Sequence, residues 1–277
     1  MIQALVNGNE SEDIPIADRG FQYGDGVFET LAVHHGQPLL WDAHVQRLLA
    51  GCHALRFGVR PDMRALEQEA RHLCAHLDKA VLKIVITRGA GPRGYRAPAN
   101  PVLTRVVSVS PWPETDTDKR TRGVRVRLCR TVLATQTQLA GLKHLNRLEQ
   151  ILARAEWNDE WDEGLMCDQS GFVIEATMSN LFAVINGALH TPNLTACGVA
   201  GVMRNEVIRV ARRMYDQVKI ADLPVDQVYA AEELFLTNSI IGIWPVRAVE
   251  EQVFAIGPLT RTLWRALNDQ PNQVVVD

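Results

Sequence analysis

Gly141-Leu142-Lys143-His144-Leu145-Asn146-Arg147-Leu148-Glu149-Gln150 sets one lysine at the mouth of a helical pattern. Leu148, Ile151, Leu152 and Ala155 follow at the three-and-four spacing of an apolar helix face. A lysine at such a junction is held rather than left to sway in solvent. Partial desolvation disfavours its charged form and readies the amine to attack an aldehyde and form a Schiff base. Most lysines are solvated surface charges, so the reading gains weight only from the segments that accompany it.

The chain has 277 residues, enough for one large or two medium domains. Hydrophobic residues at 47% and charged residues at 22% describe an ordinary globular protein. A formal net charge of -3 gives no global attraction to nucleic acid or an anionic membrane. No apolar run approaches the ~20 residues that span a bilayer, and Met1 to Glu10 lacks the basic and apolar regions of a secretory signal. The five cysteines (Cys52, Cys74, Cys129, Cys167, Cys197) are odd in number and scattered, which reads as buried thiols in a reducing cytoplasm.

Working outward toward the N-terminus, Ala4–Asn7 and Val27–Val33 read as strands, with a turn at His35-Gly36-Gln37-Pro38. Val45, Leu48, Leu49, Cys52 and Leu55 mark a helix from Asp42, ended by Gly58, and Asp62 caps a second helix buried through Leu66, Ala70, Leu73 and Leu77. Val81–Thr87 and Val102–Val109 are strands around a glycine- and arginine-rich loop. Polar Pro111–Arg122 reads as a linker, giving domains over 1–110 and 123–277, the second carrying Lys143. Beyond it come a strand at Val124–Thr131, a helix to about Asn158 and three strands through about Ile185. A helix opened by Gly201 follows, with Val202, Val207, Val210 and Ala211 inward. Strands at Leu234–Thr237 and Trp244–Val249 and a last helix over Leu259–Leu267 complete the reading.

Four further segments supply complementary chemistry. His44-Val45-Gln46-Arg47-Leu48 puts an arginine on a helix, and Glu175-Ala176-Thr177-Met178-Ser179-Asn180-Leu181 puts a carboxylate after a strand. Gly198-Val199-Ala200-Gly201-Val202-Met203-Arg204 is a glycine-bracketed turn into a helix, and Leu236-Thr237-Asn238-Ser239 is a strand end with small polar groups. A phosphate dianion wants free N–H groups at a helix start, such as those of Gly201, Val202 and Met203. It also wants a forked cation, such as Arg47, and donors such as Asn238 and Ser239. A protonated pyridine nitrogen wants a carboxylate, such as Glu175, and an aldehyde wants a lysine. Together these needs describe pyridoxal 5'-phosphate.

The five segments, in this order, resemble the class IV aminotransferases, the fold-type IV pyridoxal-phosphate enzymes. Asp18-Arg19-Gly20-Phe21-Gln22-Tyr23-Gly24-Asp25-Gly26-Val27-Phe28-Glu29-Thr30 resembles that family's opening motif. The resemblance implies a mixed α/β (α+β) fold of two domains with the cofactor between them, and a homodimer. It implies that Lys143 is the Schiff-base lysine and Glu175 the pyridinium partner. Arg47, Val202, Met203, Asn238 and Ser239 would form the phosphate cup. Phe28, Thr30, Arg93 and Tyr95 are the substrate-side candidates, Arg93 for a substrate carboxylate; for Arg88 and Arg96 the sequence leaves open whether they do the same or face solvent.

Within the family, the lysine segment and Thr87-Arg88-Gly89-Ala90-Gly91-Pro92-Arg93-Gly94-Tyr95 resemble the lyase branch. The D-amino-acid transaminases carry histidine where Tyr95 stands and tyrosine where Phe28 stands. The branched-chain enzymes place a tyrosine near the position of Arg147. The implied activity is elimination of pyruvate from the small-molecule substrate aminodeoxychorismate to give 4-aminobenzoate, on the route to folate. The alternatives are a transaminase of the same fold and a non-catalytic binding homologue. His72 and His76, with Cys74 between, have metal-ligand spacing but no third ligand nearby. They read as a solvated helix face, so no metal is expected. The six tryptophans do not interleave with basic residues, which argues against a nucleic-acid platform.

Overall fold

The computed structural model describes residues 3–113, 118–215 and 218–268. They form two compact units, one of residues 3–113 with 142–146, the other of 118–141, 147–215 and 218–268. The centre of the expected linker, 114–117, lies outside the described residues, as do 1–2, 216–217 and 269–277 of the expected domains. The lysine segment was expected with the C-terminal part of the chain, yet Leu142–Asn146 belongs to the first unit. Backbone pairing is the reason: Phe28 N–H donates to Lys143 O at 3.0 Å and Leu145 N–H to Gly26 O at 3.0 Å.

The first unit runs β1 (Gln3–Val6), β2 (Asn9–Glu10), α1 (Arg19–Tyr23), β3 (Gly26–His34), β4 (Gln37–Pro38), α2 (Trp41–Ala54), α3 (Met63–Cys74), β5 (Lys79–Thr87) and β6 (Thr104–Pro111). Its sheet has the order β2-β1-β6-β5-β3-β4 and is antiparallel throughout. Alternation sets the buried face. Val27, Leu31 and Val33 of β3 and Leu82, Ile84 and Ile86 of β5 pack with Leu48 and Cys52 of α2 and Leu66, Ala70 and Cys74 of α3. Each fully buried side chain of this size contributes about 1.5–3 kcal/mol. Asp62 caps α3 as expected, accepting from Arg64 N–H and Ala65 N–H. Gly51, a helix-interior glycine, has a packing reason: a Cβ there would lie 2.8 Å from Val27 Cγ1.

The second unit runs α4 (Lys119–Arg122), β7 (Val124–Leu128), α5 (Leu148–Arg154), β8 (Glu163–Cys167), β9 (Phe172–Ala176), β10 (Asn180–Ile185) and β11 (Ala188–Pro192). It continues with α6 (Val202–Met214), β12 (Val218–Ala221), β13 (Leu223–Pro224), α7 (Val225–Tyr229), β14 (Glu233–Asn238), β15 (Gly242–Val249), β16 (Gln252–Val253) and α8 (Pro258–Asn268). Its mixed sheet has the order β12-β11-β10-β14-β15-β7-β8-β9-β13, with β16 on β15. β7 runs parallel to both β15 and β8. Phe182 on β10 and Phe235 on neighbouring β14 stack with centroids 4.9 Å apart, and α6 buries Val202, Val207, Val210 and Ala211 as expected.

The helix after the lysine differs from expectation. It ends at Arg154, and its apolar stripe faces outward: Leu148 is 72%, Ile151 60% and Leu152 61% exposed. Ala153 of α5 and Trp157 beyond it are buried instead. With only seven residues, the helix buries the narrow Ala153 face and leaves its broad apolar face on the surface. All five cysteines are free and buried, as the sequence suggested.

Candidate active site

In the first unit the site is built on β3 and α2. Glu29 occupies a buried phase of β3 that is otherwise filled by Val27, Leu31 and Val33, and it is 1% exposed. α2 places His44 and Arg47 three residues apart, on one helix face. Arg47 Nε donates to Glu29 Oε1 at 2.8 Å and Arg47 NH2 to Oε2 at 2.5 Å, while His44 Nδ1 lies 2.6 Å from Oε2. Burial alone would raise the Glu29 carboxyl, but the hydrogen bonds and charges of Arg47 and His44 hold it below the usual range. Burial pushes His44 down, against the pull of Glu29, and the charges of Arg47 and Lys143 push it the same way. Arg47, expected to face a phosphate, is set in place by a forked pair that the sequence reading did not contain. The available signal was a carboxylate in the buried phase of an alternating strand.

Lys143 is half-buried beside this cluster. Its Nζ lies 4.3 Å from the centroid of the Phe28 ring, and Lys83 Nζ lies 5.6 Å from the same ring. The segment bridges β3 at Val27 and His144, so the lysine is held by a backbone pairing rather than by a helix start. Gly26 makes this approach possible, since a Cβ there would come 2.5 Å from Leu145 Cδ1. Of the substrate-side candidates, Phe28 is thus brought to Lys143. Thr30 follows two positions along β3, opposite Lys83. Arg93 and Tyr95 sit on an exposed loop, Tyr95 at 88% exposure. Arg19 pins that loop, with NH1 donating to Gly94 O at 3.0 Å and NH2 to Tyr95 O at 3.1 Å. Arg88, for which the sequence allowed a solvent-facing position, is buried and tied to Asp25 at 2.8 and 3.0 Å.

In the second unit the groups gather around the end of β9 and the start of α6. Glu175 is buried, and its Oε2 accepts from Val199 N–H at 2.8 Å. Arg147 and Arg204 lie within its electrostatic reach; burial lowers both, Arg204 to about 10, and the Glu175 charge opposes this. Glu163 on β8 is completely buried and accepts from Gly164 N–H (3.0 Å), Met178 N–H (3.1 Å), Ser179 Oγ (3.0 Å) and Thr177 Oγ1. It holds the turn that follows Glu175. Burial raises this carboxyl although its four donors pull the other way. Sequence reasoning missed Glu163 because its partners lie at least fourteen residues further along the chain, apart from its neighbour Gly164.

α6 begins at Gly201 with no side-chain cap and no acidic residue in its first turn. Such a helix start presents N–H groups and a positive dipole end to an anion. The turn before it demands glycine: at Gly201 a Cβ would come 2.1 Å from Asn180 Oδ1, and Gly198, at φ +82°, would place one 2.7 Å from Ile174 Cγ2. Asn180 Nδ2 donates to Val199 O at 2.8 Å and fixes the turn. Val202 and Met203 therefore stand where an anion would be received. Asn238 uses its side chain locally, donating to Met178 O (3.1 Å) and accepting from Ile240 and Ile241 N–H (2.8 and 2.9 Å), with Ser239 in the turn so formed. A buried carboxylate for a ring nitrogen, an uncapped helix start for a phosphate and a held lysine fit pyridoxal phosphate in their donor chemistry.

His72 and His76 are both exposed. Among the described residues the ligand atoms of His34, His35 and Asp78 lie within 4.8 Å of one another, and a 2.5 Å ion pair already joins His35 to Asp78.

Comparison with known proteins places these groups in a family. The amino-transferase class IV model matches residues 26–249. An aminodeoxychorismate lyase of Vibrio harveyi is 38% identical over 270 residues, covering 95% of this chain and 98% of that protein. The crystal structure of 4-amino-4-deoxychorismate lyase from Pseudomonas aeruginosa superposes with a TM-score of 0.93 at 46% identity, covering 97% of this chain and 99% of that one. The Escherichia coli branched-chain amino acid aminotransferase structure, at 23% identity and TM-score 0.87 over 99% of this chain and 96% of its own, shares the fold. With a family model spanning most of its length and a near-complete relative at 38% identity, this chain belongs to the amino-transferase class IV family.

Proposed function

We propose that the chain is a pyridoxal-phosphate-dependent 4-amino-4-deoxychorismate lyase that releases pyruvate and leaves 4-aminobenzoate, a step toward folate. The observation that carries this reading is the near full-length likeness to the two lyases from V. harveyi and P. aeruginosa. When bound, pyridoxal phosphate supplies an aldehyde that captures an amine and an electron-poor ring that spreads charge from the adjoining carbon. Lys143 Nζ would hold the cofactor until the substrate amine takes its place and, once freed as an amine, would accept the proton from the amine-bearing carbon of the substrate ring. The ring C–O bond to the enolpyruvyl group breaks, and the electron pair leaves on oxygen. Protonation of the departing methylene carbon, assigned to Lys143, gives pyruvate, and the carbocycle becomes aromatic. Glu175 holds a proton on the pyridine nitrogen. Val202 and Met203 N–H groups, Arg47 and the Asn238-Ser239 turn bind the phosphate. Phe28, Thr30, Arg93 and Tyr95 serve the substrate, Arg93 by its charge toward a carboxylate.

Two properties of the assembly belong to the same reading. The exposed stripe of Leu148, Ile151 and Leu152 supports a homodimer, since a patch of this kind marks an interaction surface. Five free, buried thiols suit a reducing cytoplasm. No described helix is long and apolar enough to cross a membrane.

The deciding experiment is incubation with aminodeoxychorismate and no keto-acid acceptor. Equal amounts of 4-aminobenzoate and pyruvate are expected. Transfer from a branched-chain or D-amino acid that requires an acceptor, with no aminobenzoate formed, would replace the lyase with a transaminase.

A further inference from the structure

The first unit holds a pocket of about 540 Å³ at the C-terminal end of α2, and none of the residues assigned above to cofactor or substrate lines it. Leu49, Phe57 and Pro61 give it an apolar floor, and His53, Arg56 and Arg60 give it a cationic rim. The volume lies within the range of small-molecule sites, which combine apolar walls with a few polar groups.

Three features of the rim bear on a ligand. First, Arg56 stands at φ +55°. The chain leaves α2 through two backbone bonds, Phe57 N–H to Cys52 O at 3.0 Å and Arg56 N–H to His53 O at 2.9 Å. In this helix-ending motif the left-handed position belongs to glycine, because a Cβ there is strained. Glycine follows only at Gly58, itself at φ +77°. An arginine kept in a glycine position breaks a local rule, and such departures concentrate at functional sites. Second, among the described residues the guanidiniums of Arg56 and Arg60 have no ion-pair or hydrogen-bond partner, whereas Arg19, Arg47, Arg88 and Arg105 of the same unit are each paired with a carboxylate. Third, the strained turn is fixed from behind. Arg88, anchored on Asp25, donates to Leu55 O at 2.7 Å and to Arg56 O at 2.8 Å, and its guanidinium lies 4.7 Å from the Phe57 ring centroid. Two uncompensated cations over a preformed apolar floor match an anion with an apolar body.

We propose that this pocket is a second ligand site, one that takes small amphipathic carboxylates, with the carboxylate on Arg56 and Arg60 and the apolar body on Leu49, Phe57 and Pro61. The test uses the full chain loaded with pyridoxal phosphate and 4-fluorobenzoate as the probe, with binding read by fluorine NMR. Saturable binding is expected, weakened at least tenfold in the Arg56→Gly/Arg60→Ala double variant. Because glycine suits the left-handed position, Arg56→Gly is expected to keep the wild-type circular dichroism and a Tm no lower than wild type, which separates lost binding from lost fold. Inorganic phosphate, which lacks an apolar body, and benzyl alcohol, which lacks a charge, are expected to compete at least tenfold more weakly than benzoate. Three results would overturn the site: no saturable binding, binding unchanged in the folded double variant, or binding abolished by Lys143→Ala and untouched by the double variant.

Discussion

Glu29 and Glu163 are both buried carboxylates, each 1% exposed, and they shift in opposite directions. Glu29 meets the Arg47 guanidinium and the His44 ring, and its carboxyl is held down. Glu163 meets two hydroxyls and two backbone N–H groups, all neutral, and burial wins. Burial sets the cost of the charge, and the partners' formal charge decides whether that cost is met. The two regions also do different work. The Glu29 cluster aims a cation in the first unit, whereas the Glu163 cage holds the shape of the turn that follows Glu175 in the second.

The largest break comes from removing the amine that the first region surrounds. Lys143→Ala is expected to abolish borohydride-trapped cofactor on the chain and to lower turnover by several orders of magnitude, since anchor and proton carrier go together. A trapped adduct mapped to Lys83, the other amine over Phe28, would move the assignment there. Next, the two carboxylates separate by stability. Glu29→Gln leaves the part-buried Arg47 guanidinium without its buried counter-charge and is expected to cost about 3 kcal/mol in urea denaturation. Glu163→Gln, which mismatches neutral donors, is expected to cost about 1–3 kcal/mol. Equal losses would mean that charge pairing does not distinguish the regions. Arg47→Ala is expected to weaken cofactor binding by about 1.5–3 kcal/mol, against about 1 kcal/mol for Ser239→Ala, measured by equilibrium titration. Matching affinities would show that the guanidinium serves Glu29 alone.

The smallest effect is on pH dependence, and there the two regions have opposite signs. Glu29 and His44 have lowered values in the fold, so the unfolded chain protonates first as pH falls and native stability drops. Glu163 has a raised value, so its contribution is present in acid and lost as pH rises from the ordinary carboxylate value through its own. Tm followed between about pH 4 and 8 should therefore fall less steeply toward acid in Glu29→Gln than in wild type, and decline less on the neutral side in Glu163→Gln. Parallel profiles for the two variants would contradict the opposed shifts.

Much of the framework was legible because it rests on local rules. Asp62 announces the start of α3, Gly201 that of α6, and alternation in β3 and β5 states which face is buried. Lys143, Glu175 and the glycine turn were legible as chemistry with a recognisable order. What the sequence hid depends on partners distant along the chain. Glu29 and Arg47 are eighteen positions apart, and Glu163 and Ser179 sixteen. The outward face of α5 was hidden for a related reason. Periodicity shows that a helix has an apolar side but not which side the rest of the fold needs. The backbone pairing that holds Lys143 to β3 is equally silent in the sequence, since edge pairing carries no side-chain signature.

That pairing has a consequence for the order of events during synthesis. A ribosome finishes β6 at Pro111 and then makes some thirty more residues before it reaches Leu142–Asn146. Until then, the Phe28 N–H and Gly26 C=O on β3 have no chain to pair with, and the nascent unit carries an open strand edge, the feature that invites pairing with another chain. The residues that carry the Lys143 amine are therefore the ones that cover this edge, so placement of that amine and loss of the sticky edge happen at one moment.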